Sequence, residues 1–190
     1  MKRALLIVDV QPTFCEGGEL AVVGGNTVAH RIAEFYRTHR DRYELIATSQ
    51  DWHIDPGTHF SDHPDFVDTW PPHGVAGTEN AELHSALKGV QVDVAVKKGH
   101  YSAAYSAFEG ISEDERTLGE ILHEQGIEQV DIVGIAESHC VLESALDAKK
   151  GGWKVKVIRD LTVPVSEELG AAARKKMVEA GIKLVDSADL

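Results

Sequence analysis

The sequence predicts an α/β protein built on a parallel sheet. Three observations carry this: short apolar runs too continuous for a half-exposed strand, their alternation with helix-period segments, and one long irregular segment that begins at a strand end. The first run, Ala4 to Val10 (ALLIVDV), is what a strand covered on both faces requires. From Asn26 to Thr38 the apolar residues Val28, Ile32, Ala33, Phe35 and Tyr36 fall largely on one helical stripe, with Asn26 or Thr27 as N-cap. The alternation then continues through strand Tyr43 to Thr48, a helix near Glu79 to Leu87, strand Val92 to Val96, helix Thr117 to Gln125 and strand Gln129 to Ile135. It ends with helix His139 to Lys150, strand Lys154 to Ile158, helix Ser166 to Ala180 and strand Lys183 to Val185, with Gly151, Gly152 and Gly181 where helix C-caps belong.

The 190 residues suit one domain, 1–190, able to bury roughly 70% of its unfolded surface. The exception to the alternation is 49–78, rich in Asp, His, Pro and Gly, which reads as a loop insertion. Hydrophobic and charged shares of 43% and 26% are those of an ordinary globular chain. A net charge of −12 argues against nucleic acid, whose phosphates reward clustered Lys and Arg. The acidic run Glu113, Asp114, Glu115 reads as a solvated turn. Two cysteines, Cys15 and Cys140, make no disulfide framework and fit a reducing cytoplasm. The amino terminus makes a poor signal peptide, and no window approaches the ~20 apolar residues that cross a bilayer. No membrane partner is expected, and the chain is expected to be a monomer or small homo-oligomer.

Taken singly, Asp9, Lys98 and Cys140 are a turn residue, a surface lysine and a small buried hydrophobe. Together they lie at or just past the carboxyl ends of the first, third and fourth strands, with Asp51 just past the second. That edge is where open α/β sheets bind ligands. Cys140 follows a strand end and opens a helix, a location expected to lower its pKa through free N–H groups and the helix dipole, with Lys98 adding to the effect. The backbone N–H groups of Ala136 and Cys140 would hold an oxyanion. Asp9, the nearest carboxylate on this topology, would take and return the proton. His139 is set aside as the base because its side chain leaves the turn in another direction; it is a substrate-lining candidate.

Asp51, His53, His59 and His73, with His63 nearby as the odd one out, suggest a metal site in the irregular segment. Nitrogen and carboxylate donors without thiolate fit one divalent zinc, iron or manganese ion. His30, His39, His84 and His123 fall on or beside helices and read as solvent-facing, and Cys15 reads as a turn residue.

LLIVDVQPTFCEGGEL, DWHIDPGTHF, WPPHGVAGT, KKGHYSAAYSAFEG and GIAESHCV, in this order and spacing, resemble the nicotinamidases, also called pyrazinamidases, of the isochorismatase-like hydrolase superfamily. The resemblance covers almost the whole chain. It implies a three-layer α/β/α fold with a six-stranded parallel sheet in order 3-2-1-4-5-6. It also implies a catalytic triad at Asp9, Lys98 and Cys140, a metal at Asp51, His53, His59 and His73, and a pyridine carboxamide held between Phe14, Trp70 and Tyr105, with Ile135 and His139 also lining the site. The Ile135–Ala136 bond matches a family position that is often cis. This chain departs from the family pattern at Pro12-Thr13, where many relatives have Asn-Asp, and at Glu137-Ser138, where many have Thr-Asp. The implied activity is hydrolysis of nicotinamide to nicotinate and ammonia in NAD salvage. The alternatives are an N-carbamoyl or ureido amidohydrolase with the same triad, against which the histidine-rich segment argues, and a non-catalytic metal- or thiol-binding protein on the same fold.

Overall fold

A computed structural model describes residues 1–190. Strands β1 (Arg3–Val8), β2 (Leu45–Asp51), β3 (Val94–Lys98), β4 (Gln129–Ile135), β5 (Lys154–Val163) and β6 (Lys183–Val185) form one parallel sheet in the order β3-β2-β1-β4-β5-β6. Strand order reverses between β1 and β4, which opens a crevice at their carboxyl ends. Successive residues of a strand face opposite sides. Ala4, Leu6 and Val8 accordingly enter one core, with α2 (Leu118–Glu124), α3 (Leu142–Lys150) and α4 (Glu167–Glu179), and Leu5 and Ile7 enter the other, with α1 (Gly25–His39). Because both faces are covered, the run is apolar without alternation. No helix is long and apolar enough to cross a membrane.

Several expected elements are reshaped by long-range contacts. The helix expected near Glu79 to Leu87 is instead two tight turns, Glu79–Ala81 and Ser85–Gly89, closed by bonds such as Ala81 N–H to Thr78 O and Leu87 N–H to His84 O. His84 between them is buried and not solvent-facing: its Nδ1 accepts from Ala86 N–H and its Nε2 meets Asn26 Oδ1 at 2.8 Å. Asn26 is thereby engaged, and Gly24 at φ 94° is the N-cap of α1 in place of Asn26 or Thr27. His123 stacks on Trp153. β2 and β3 run on to Asp51 and Lys98, and β5 continues to Val163 past a register shift opposite Ile132 and Gly134. At Gly134 (φ 125°) a Cβ would sit 2.1 Å from Val8 O, so only glycine lets β4 approach β1 at the crevice.

The turn that carries Cys140 also differs. α3 begins at Leu142, and Glu137–Val141 before it is a wide turn in which Val141 N–H donates to Ala136 O at 3.1 Å. The Ile135–Ala136 peptide bond is cis.

Candidate active site

Three strand ends build the floor of the crevice. Asp9 leaves β1 with φ 47°, a left-handed turn that Asp tolerates better than most residues. Its N–H donates to Ser49 O at 3.1 Å, and its Oδ1 accepts from Ser49 Oγ at 2.7 Å. Asp51 and Lys98 are register partners on β2 and β3. Lys98 Nζ donates to Asp51 Oδ1, donates to Ala104 O at 3.1 Å, and reaches Cys140 Sγ at 3.8 Å. Asp9 Oδ2 lies 2.9 Å from the same Nζ, an ion pair with both side chains fully buried. One ammonium therefore joins both carboxylates and the thiol.

The electrostatics overturn one expectation. Burial pushes the Cys140 thiol well above its ordinary value; Lys98 opposes the shift, while Asp9 and Asp51 add to it. The thiol was expected to be acidified by a helix start and by Lys98, but it is buried in the wide turn that leads into α3, and burial, the largest influence, prevails over the ammonium. Burial also raises Asp9, with Lys98 opposing and Asp51 adding. Burial works against the charge on Lys98, yet Asp51 and Asp9 hold its pKa well above the usual range. The resting arrangement is thus a protonated thiol beside a carboxylate with a strengthened affinity for protons.

Asp51, His53, His59 and His73 converge as expected. The ligand atoms of the three histidines lie within 4.8 Å of one another, and Asp51 Oδ2 is 3.3 Å from His53 Nε2 and 3.6 Å from His73 Nε2. His53 Nδ1 donates to Gly99 O at 2.6 Å and His73 Nδ1 to Pro71 O at 2.8 Å, since a carbonyl only accepts. Both rings so held point Nε2 inward, the orientation that outer partners give metal-ligating histidines. A Cβ on Gly99 (φ +73°) would sit 2.5 Å from His53 Cε1, so a glycine there leaves room for the ring. His53 Nε2 and His59 Nδ1 are buried without hydrogen-bond partners. Orphaned imidazole nitrogens grouped with a carboxylate oxygen fit a divalent cation. Burial, with His73 and His53, lowers the pKa of His59 to about 4, so its ring is neutral at pH 7, as a ligand must be. His63 is exposed and outside the group.

Above the floor is a largely apolar cavity of about 590 Å³, counting its open mouth. Each expected substrate-lining residue borders it: Phe14, Trp70, Tyr105, Ile135 and His139, together with Ala136, Cys140, Asp51, His59 and His73. Trp70 Nε1–H donates to the Tyr105 hydroxyl at 3.2 Å, and the Trp70 and His139 rings meet edge to face. The sequence reading missed Leu20, Ala21, Val22, Ala104 and Val165, which complete the walls. It also missed Gln11, fully buried, whose amide accepts from Asp51 N–H at 3.0 Å and donates to Asp51 O and Ala81 O. A glutamine immediately after an apolar strand was the available signal.

A family model described as the isochorismatase domain matches residues 3–189. The chain belongs to this family. A nicotinamidase/pyrazinamidase of Mycobacterium tuberculosis is 45% identical, with 97% of this chain and 99% of that protein covered. The crystal structure of a pyrazinamidase of Pyrococcus horikoshii in complex with zinc superposes with a TM-score of 0.82 at 33% identity, covering 98% of this chain and 99% of the other. The structure of PnC1 from L. infantum in complex with nicotinate gives 0.85 at 30% identity, covering 98% and 93%. The crevice of this chain lies where its strand order reverses and brings an aspartate, a lysine and a cysteine beside three histidines that could hold a divalent cation.

Proposed function

We propose that this chain hydrolyses nicotinamide, and pyrazinamide with it, to the carboxylate and ammonia through a thioester on Cys140, the amidase step of NAD salvage. The observation that carries the reading is Lys98 Nζ, buried beneath an apolar slot and shared by Asp9, Asp51 and Cys140. The kinship with nicotinamidases and pyrazinamidases supports the substrate class.

The cycle follows from the resting protonation. The Cys140 proton moves to Asp9 as Sγ attacks the amide carbon, and the carbonyl π pair moves onto oxygen, facing the N–H groups of Ala136 and Cys140. Collapse breaks the C–N bond, and Asp9 returns its proton to the departing nitrogen, which leaves as ammonia. Water then adds to the thioester while Asp9 takes one of its protons; the C–S bond breaks, Asp9 passes that proton to Sγ to restore the thiol, and the acid leaves as nicotinate after its hydroxyl proton goes to solvent. Lys98 favours the charged form of Asp9 against burial and stabilises the thiolate as it forms. His139, Phe14, Trp70 and Tyr105 hold the ring.

Asp51, His53, His59 and His73 would hold zinc, iron or manganese, which when bound supplies a Lewis-acidic anchor for the ring nitrogen. Segment 49–78 is then a metal-binding insertion in one hydrolase domain, and the chain acts on a free small molecule in the cytoplasm.

The test is ammonia release from nicotinamide by wild type and Cys140→Ala, with and without chelator. Turnover that falls at least about 10³-fold in the variant and is reduced by chelation supports the reading. A metal-replete wild type that releases no ammonia from nicotinamide sinks it and turns attention to N-carbamoyl amides.

A further inference from the structure

We propose that the ion pair between buried Glu137 and Arg174 is a positioning device through which α4 sets the Ala136 and Cys140 N–H groups against the reacting carbonyl. The inference rests on the thioester reading above. Glu137 follows Ala136 directly and stands three residues before Cys140, yet it does not line the cavity. Its side chain is only 3% exposed. Oε1 accepts from Arg174 Nη1 at 2.6 Å, Oε2 accepts from Thr162 Oγ1 at 3.1 Å, and Arg174 Nη2 donates to Glu167 Oε1 at 2.5 Å. Next to it, Ser138 Oγ accepts from Val165 N–H at 3.1 Å.

The two residues that follow Ala136 in the turn, Glu137 and Ser138, are therefore tied outward to one stretch, 162–174, running from the end of β5 into α4. Within the turn, Val141 and His139 N–H both donate to the Ala136 carbonyl, and the side chains of Glu137 and Ser138 tie the closed turn to its neighbours. An ion pair of this kind is seldom worth more to stability than apolar residues of similar volume, but it favours one geometry, because Glu137 meets Arg174 and Thr162 at once with its two oxygens. Backbone donors aimed at a developing charge need that selectivity.

The experiment compares wild type, Arg174→Met and Arg174→Lys in metal-replete protein. It reads kcat and KM for nicotinamide and the dissociation constants of two probes, nicotinate and pyridine-3-carboxaldehyde. The aldehyde adds Sγ to its carbonyl carbon, sending the thiol proton to Asp9 and the π pair to oxygen, so its affinity reports the oxyanion donors; nicotinate reports the ring slot. In Arg174→Met, kcat and aldehyde affinity are expected to fall together by about ten-fold or more, with KM and nicotinate affinity within about two-fold of wild type. Arg174→Lys restores part of both, and it carries the same split at smaller amplitude if Arg174→Met does not fold. Unchanged kcat and aldehyde affinity, or all four quantities moving together, overturns the proposal. Wild type that binds both probes but releases no ammonia sinks the amidase reading, while the variants still test the turn through the aldehyde-to-nicotinate affinity ratio.

Discussion

The two halves of the site are held by different means. Asp9 and Lys98 stand at the carboxyl ends of β1 and β3, so the ladders through β2 set their separation, and Cys140 follows β4 in the turn before α3. His53, His59 and His73 come from an irregular segment tied by isolated bridges, His53 to Val75 and Phe60 to Trp70, and by backbone carbonyls that turn two of the rings. The sheet supplies a finished charge arrangement. The loop supplies imidazole nitrogens without a protein partner, His53 Nε2 among them, in a group that fits a divalent cation. Asp51 belongs to both, facing Lys98 with one oxygen and the histidines with the other.

The largest expected effect strikes both halves at once. Lys98→Met leaves Asp9 and Asp51 buried without their shared ammonium, and the unfolding free energy should fall by about 3–5 kcal/mol in urea titrations. A loss below about 1 kcal/mol would mean that the carboxylates do not depend on Lys98. His73→Ala should separate the halves: metal retention falls by at least about ten-fold in a chelator competition, while alkylation of Cys140 by iodoacetamide stays within about two-fold of wild type. If the alkylation rate changes with metal content, the triad is not preformed.

A smaller effect follows from His59. Burial holds its folded pKa at about 4 against an ordinary 6.5. Between those values the unfolded chain takes up a proton that the folded one refuses, so the metal-free protein should lose stability as pH falls from 6.5 toward 4. Thermal melts of chelated wild type and His59→Phe across that window check the sign; the variant should melt with a flatter pH dependence. The smallest effect is that of Trp70→Phe, which keeps the wall of the slot but removes the donor to Tyr105. Loss of a neutral hydrogen bond of about 1 kcal/mol should raise KM about five-fold or less, with kcat nearly unchanged.

Much of this arrangement was legible residue by residue. β4 spans Gln129 to Ile135 as its apolar run indicates, and the strand-end positions of Asp9, Lys98 and Cys140 mark the crevice before any contact is known. The strand order came from the family resemblance, since periodicity says where strands are and not which of them pair. Leu83, Ala86 and Leu87 imitate a helical stripe closely enough to suggest the helix that is absent; the His84 to Asn26 contact, 58 residues apart, decides against it. Gln11 carries no periodic signal, yet it anchors both backbone groups of Asp51.

By itself the sequence determined the alternation of strands and helices, the edge on which the functional side chains gather and the donor chemistry of the loop, because each of these is a property of neighbours along the chain. Only the tertiary structure decided that burial raises the Cys140 thiol, that Lys98 is shared by two carboxylates, and that Glu137 is paired across to α4. Burial and Coulomb energy are sums over groups that are distant in sequence, and the fold alone brings those groups within reach of one another.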